Sequence, residues 1–213
     1  MSMTKNNVFV TLRELFPEAG CELHYRSLYE LLVAVMLSAQ TTDKRVNMVT
    51  IDLFKSYPTI EALSKADQKM VEKLINSLGL YQTKARNLIQ MAKQIVNEFE
   101  GKIPSTLQDL TTLAGVGRKT ANVVLSEGFH VPAIAVDTHV KRVSNRLELV
   151  TSDDPKIIEE GLQALFPKEQ WHQLHHLMIH FGRYICKAKK PECVRCSFEC
   201  RHREAPYQEK MLH

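Results

Sequence analysis

Apolar residues recur every three to four positions along most of the chain, the spacing that puts them on one face of an α-helix. The first strong segment, LLVAVMLSAQ, begins with seven consecutive apolar residues. Such a run also suits a buried strand. Ser27-Leu28-Tyr29-Glu30 just before it has capping-box spacing, which predicts a buried helix instead. Further helices are expected at about 43–55 (stopping before Pro58), 60–64, 67–77, 83–99, 106–113 and 118–128. Ser105 and Gln108 have capping-box spacing for the helix at 106–113, and Gly101 breaks the chain ahead of it. Val136, Val140, Val143 and Leu147 keep helical spacing through VDTHVKRVSNRLEL. Asp154-Pro155 offers a cap followed by proline at the first helical position, for a helix ending near Pro167. WHQLHHLMIHF sets Trp171, Leu174, Met178 and Phe181 on one face. The prediction is an all-α protein with a polar, cysteine-rich loop after Gly182 and a loose tail over the last dozen residues.

Composition narrows this picture only a little. With 213 residues, 44% of them hydrophobic and only eight Gly and eight Pro, the chain can build one large core or two small ones. A formal charge of +4 permits a basic face for a polyanion without requiring one. No window approaches 18 consecutive apolar residues, and MSMTKNNVFV lacks the apolar core of a secretory signal. An intracellular protein is expected, cytoplasmic or nucleoid-associated, with no membrane partner.

Two stretches echo each other. LINSLGLYQTKARNL (74–88) and LTTLAGVGRKTANVV (110–124) both read helix, glycine turn, basic residue, Ala, helix. In the second, Gly115 and Gly117 flank Val116, which allows a tight reversal with Val116 plugged between the helices. The turn exposes amides at the start of the next helix, where an anion is welcome. An ordinary helix–turn–helix corner explains the glycines equally well. Arg118 and Lys119 shift the balance toward an anion. Neither the P-loop spacing nor a strand preceding a dinucleotide fingerprint is present. A cation in the first turn of a helix is disfavoured by the dipole, so Lys119 stands out as a candidate amine nucleophile. Asp137, just before Thr138-His139-Val140, reads as the cap of the next helix, a role that also fixes its orientation. On that helix Arg142 and Arg146 share a face, beside Lys141, and suit either acids or phosphates.

Four of the five cysteines fall in Cys186-x6-Cys193-x2-Cys196-x3-Cys200. In a reducing compartment this spacing argues for a metal rather than disulfides. Sulfur ligation fits zinc or an iron–sulfur cluster, and spacing alone does not separate them. Arg183, Lys187, Lys189, Lys190, Arg195, Arg201 and Arg203 surround the cysteines, so a metal would fold a poorly apolar loop that displays charge.

Taken together, LLVAVMLSAQTTD, GLYQTKARNL, LAGVGRKTANVV, AVDTHVKRVSNRL, HHLMIHFGRYIC and the cysteine loop resemble the endonuclease III family of DNA glycosylase/AP lyases, within the helix–hairpin–helix DNA glycosylase superfamily. The resemblance covers nearly the whole chain. It implies an all-α, two-domain fold: a six-helix domain over 21–132 that contains the helix–hairpin–helix, and a discontinuous domain of 1–20 with 133–213 that ends in an iron–sulfur loop. Damaged double-stranded DNA would lie across the cleft between them, bound by a monomer. Motif by motif, the catalytic lysine is Lys119 and the catalytic aspartate Asp137. Gln40 would fill the space left by an expelled nucleotide, and Leu80 would wedge into the DNA. Gly115, Val116, Gly117, Arg118 and Thr120 would hold the backbone, while Asp43 and His139 would support the cleft. Cys186, Cys193, Cys196 and Cys200 would hold a [4Fe-4S] cluster, with zinc as the less favoured occupant.

The implied activity is excision of oxidised pyrimidines through a lysine Schiff base, followed by β-elimination. Two departures stand out. Ala114 replaces the proline usual in the family hairpin, which is expected to loosen the turn slightly. The last cysteine gap is three residues rather than five, so strict counting puts the fourth ligand on His202, whereas a shortened loop keeps Cys200. A monofunctional adenine glycosylase of the same superfamily would lack a lysine at position 119 and carry an extra C-terminal domain. A non-catalytic, metal-stabilised DNA-binding protein would not need the Lys119/Asp137 pair. Zinc-dependent hydrolysis is disfavoured, because four thiolates leave no open position on the metal.

Overall fold

The computed structural model describes residues 5–200, and every regular element among them is helical. The chain divides into two compact units, one formed by the stretch up to Cys21 together with the stretch from Pro132 onward, the other by Glu22–Val131. The continuous unit holds α2 (Leu28–Leu37), α3 (Asp43–Ser56), α4 (Ile60–Ser64), α5 (Gln68–Ile75), α6 (Tyr81–Glu98), α7 (Leu107–Thr112) and α8 (Arg118–Gly128). The discontinuous unit holds α1 (Lys5–Leu15), α9 (Thr138–Arg146), α10 (Pro155–Leu165) and α11 (Trp171–Tyr184), with short 3-10 turns at Lys168–Gln170 and Cys193–Arg195. Among the described residues no helix is long and apolar enough to cross a membrane.

Within the continuous unit α2 is the central rod. Leu31 to Leu37 are all buried, and α2 packs against α3, α6 and α8. The Ser27 hydroxyl accepts from the Glu30 amide, and the Glu30 carboxylate reaches back to the Arg26 amide rather than to that of Ser27. A helix buried on all sides has no polar face to betray its period, so the cap is what separates it from a strand. The expected Ser105/Gln108 box is displaced by one residue. Thr106 accepts from the Asp109 amide at 3.1 Å and donates to the Asp109 carboxylate at 2.7 Å. The neighbouring pair has the same i,i+3 spacing, and an acidic partner in the first turn also suits the helix dipole.

In the discontinuous unit Val8, Phe9 and Leu12 of α1 share one core with Val136, Val140 and Val143, Ile158 and Leu162, and Leu174, Met178 and Phe181. The distant chain segments are joined because none of their stripes is wide enough to form a core alone. Gly182 lets α11 close on α9: an added Cβ there would stand 2.9 Å from the His139 Cβ.

Candidate functional site

The hairpin between α7 and α8 forms as its glycines suggest, though only one of them is conformationally required. Gly115 has φ +76°, and a Cβ at that position would meet the Asn87 side chain at 2.8–2.9 Å. Gly117 is extended (φ −90°, ψ 173°), and an added Cβ would meet nothing within 4 Å. Val116 is 4% exposed and plugs the corner. The Ala114 amide donates to Gln94 Oε1 at 2.8 Å, and Gln94 Nε2 donates to the Thr112 carbonyl at 3.3 Å. The turn expected to loosen for want of a proline is instead clamped by a side chain from α6, through a donor that proline would lack.

α8 begins at Arg118 with no side-chain cap, as do α6 at Tyr81 and α11 at Trp171, which follows a 3-10 turn; α2, α3, α4, α5, α7, α9 and α10 are all capped by a side chain. The first amides of α6 and α8 therefore have no side-chain acceptor at the cap position, the arrangement that receives an anion. Arg118 is exposed, and Lys119 and Thr120 are half-buried in the first turn of α8.

The same unit brings Gln40, Leu80 and Gly115 around one pocket of about 170 Å³, together with Thr83, Lys84 and Asn87. Gln40 was expected to end the buried helix. It lies instead in the turn beyond Leu37, exposed, in the left-handed region at φ 55°. Leu80 is also left-handed (φ 57°, ψ 30°) and 65% exposed. Neither residue is the plain core that its neighbours would suggest. Lys84 was not singled out from sequence. It is buried, its Nζ donates to the Leu37 carbonyl at 2.9 Å and to Thr41 Oγ1 at 2.8 Å, and burial pulls its pKa below the usual lysine range. The available signal was its place on the apolar stripe of α6, one turn before Leu88. Asp43 is half-buried in the first turn of α3, after its cap Thr42.

In the other unit Asp137 caps α9. Its Oδ1 accepts from the amides of His139 and Val140, both at 2.8 Å, which fixes the carboxylate. Burial lowers the His139 pKa; Asp137 opposes this, and Arg142 and Arg183 reinforce it. Arg142 and Arg146 do not wait for phosphates. Arg142 donates to the carbonyls of Thr138, Gly182 and Cys186. Arg146 donates to the Lys187 carbonyl at 2.8 Å and stands 3.5 Å from Cys186 Sγ. Lys141 pairs with Asp153 at 2.8 Å.

None of the five cysteines is in a disulfide, and Cys186, Cys193, Cys196 and Cys200 line one cavity walled by Leu147, Phe181, Ile185 and Pro191. Burial pushes the Cys196 thiol up; Cys186, Cys200 and Cys193 crowd it in the same direction, against its bond to the Phe198 carbonyl. Converging thiols in an apolar wall fit a sulfur-ligated cation, which reverses this penalty by binding the thiolate form. The surrounding charge is less displayed than expected. Lys187 and Arg195 both pair with Glu192, while Lys189 and Lys190 are exposed. His202, Arg201, Arg203 and the expected tail lie outside the described residues.

Comparison with known proteins places the chain. Residues 33–168 match the model of the HhH-GPD superfamily base excision DNA repair proteins. Endonuclease III of Synechocystis sp. is 45% identical over 89% of this chain and 87% of its own length. Endonuclease III of Bacillus subtilis is 45% identical over 92% and 90%. A solved structure of a trapped endonuclease III–DNA covalent intermediate superposes with a TM-score of 0.89 at 43% identity, covering 98% of this chain and 99% of that one. The chain belongs to the endonuclease III family within the HhH-GPD superfamily of base excision DNA repair proteins.

Proposed function

We propose that this protein is a bifunctional DNA glycosylase/AP lyase that removes oxidised pyrimidines from double-stranded DNA through a Schiff base on Lys119. The observation that carries the reading is the family match across nearly the whole chain, including likeness to a covalently trapped protein–DNA intermediate. A base within the duplex hides its glycosidic bond, and everting the nucleotide costs a few kcal/mol. Gln40 and Leu80 offset that cost by refilling the stack. Their exposed, left-handed placement supports this, since neither conformation nor exposure benefits the fold. The uncapped start of α8, with Gly117 bare of a side chain, receives the DNA backbone.

The Lys119 amine attacks C1′, and the glycosidic bond breaks with its electron pair leaving on the base. Asp137 takes part in handling the lysine's proton and stabilises positive charge on the sugar. Opening of the sugar ring gives the iminium. Loss of a C2′ proton then expels the 3′ phosphate, which takes the C3′–O bond's electron pair and leaves a nicked strand. Borohydride reduction on a duplex containing thymine glycol tests the assignment. A covalent adduct forms with the wild-type chain and is abolished by Lys119→Ala; robust trapping by that variant removes Lys119 from its role.

Cys186, Cys193, Cys196 and Cys200 hold a [4Fe-4S] cluster, whose contribution when bound is to rigidify the loop after α11. Arg142 and Arg146 tie α9, the helix capped by Asp137, to the first of these cysteines. Elemental analysis of the purified chain is expected to give about four irons; stoichiometric zinc without iron overturns the cluster.

A further inference from the structure

Lys84 is an anomaly in its helix. A lysine in the first turn of α6 opposes the helix dipole, and burying its ammonium adds a desolvation cost. Its two side-chain bonds bracket Gln40: one to the carbonyl of Leu37, the last residue of α2, the other to the hydroxyl of Thr41. Its backbone amide donates to the Leu80 carbonyl at 2.9 Å, closing the first turn of α6. One residue thus holds both non-glycine left-handed residues that line the pocket, Gln40 by its side chain and Leu80 by its main chain. The two bonds satisfy an otherwise open carbonyl at the end of α2 and a threonine hydroxyl. Simpler residues could do that without burying a charge.

We propose that Lys84 is a positioning residue that sets the Gln40 turn in register with Leu80, so that both enter the DNA stack together when the damaged nucleotide is everted. This rests on the roles given above to Gln40 and Leu80. Fixing a turn before binding removes its ordering entropy from the eversion step. A flexible Gln40 turn would be ordered only on DNA, at the expense of eversion. The strand-cleavage chemistry at an abasic site in single-stranded DNA needs no stack to be refilled and is indifferent to Lys84.

The test compares borohydride trapping rates on two probes: a thymine glycol duplex and a single-stranded abasic oligonucleotide. Lys84→Met is expected to slow trapping on the duplex roughly tenfold and to leave the single-stranded probe within about twofold. Combining it with Gln40→Ala is expected to slow the duplex reaction no further than Gln40→Ala alone, as for two residues acting as one unit. Thr41→Val removes one acceptor and leaves the ammonium buried; it is expected to give a smaller loss of the same selectivity, which keeps the test decisive where Lys84→Met folds poorly. Equal loss on both probes, or additive loss in the double variant, overturns the proposal and leaves Lys84 a plain fold residue. Wild-type duplex trapping retained by both Lys84→Met and Thr41→Val overturns it as well, with the roles of Gln40 and Leu80 untouched. Failure of the wild-type chain to trap either probe instead sinks the underlying glycosylase/lyase reading.

Discussion

The α5–α6 and α7–α8 hairpins share one pattern of helix, glycine turn and helix and use it in opposite ways. With Gly79 set against Gly115 and Ala85 against Ala121, the apolar residue after the first glycine is Leu80 in one and Val116 in the other. Leu80 is 65% exposed and Val116 is 4% exposed. The left-handed backbone sits on Gly115 in the α7–α8 turn, where it costs little, and on Leu80 in the α5–α6 turn, where it costs about 1–2 kcal/mol. The basic residues fall at different positions of this register: Lys84, opposite Thr120, is buried, and Arg118, opposite Gln82, is exposed. A hydrophobic pattern alone therefore does not say which hairpin serves the fold. The α7–α8 turn is built for its own stability, and in the proposed function it is also the one that offers backbone to DNA. The α5–α6 turn holds an apolar side chain out against the interest of the fold, which is what the proposed wedge role of Leu80 requires.

Exchanging the demands of the two turns gives the largest expected effect. Gly115→Ala forces a side chain into a left-handed position and against Asn87, which should cost about 2–4 kcal/mol. Thermal denaturation would then show a Tm lower by roughly 4–16 °C. Leu80→Gly should do the reverse. It relieves the left-handed strain and loses little burial, partly offset by the greater freedom of glycine in the unfolded chain, so Tm is expected to hold or rise by about 1–3 °C. The same variant should excise thymine glycol from duplex roughly tenfold more slowly, since a base step loses its filler. A large fall in Tm for Leu80→Gly would mean that Leu80 is a packing residue after all, and the contrast between the hairpins would collapse.

What could be read from sequence divides along the same line. Caps and stops are local, so Asp137 on α9, Asp154-Pro155 on α10 and Ser27 on α2 were legible, and Thr106 was missed by one position only because Ser105 satisfies the same spacing. Most of the helices followed from periodicity. α1 did not come from the residues alone, although Val8 and Leu12 are one turn apart; its partners lie beyond position 130. What escaped altogether are single bonds between distant residues. Gln94 holds Ala114 across 20 positions, Lys84 holds Leu37 across 47, and Arg142 holds Cys186 across 44. Such pairs leave no period and no motif. The exposure of Leu80 is illegible for a related reason, because an exposed leucine has the same composition as a core one.

Gly117 sharpens the comparison with the smallest effect on the fold. Its backbone is extended and open, so nothing inside its unit asks for glycine. Gly117→Ala should leave Tm within about 1 °C, as surface changes without strain do. If the bare turn exists so that a DNA backbone can approach the first amides of α8, the added methyl should weaken duplex binding several-fold. It should also make the salt dependence shallower by about one phosphate contact. Gly79→Ala is the matched control: an added Cβ there also meets nothing within 4 Å, but it lies in the wedge hairpin. It should leave the salt slope alone if, as proposed, that turn meets the bases rather than the phosphates. Binding titrations over a salt series read both variants directly. Equal slopes for Gly117→Ala and the wild-type chain would leave the α7–α8 turn as a structural corner, and the assignment of phosphate contacts to this hairpin would have to be abandoned.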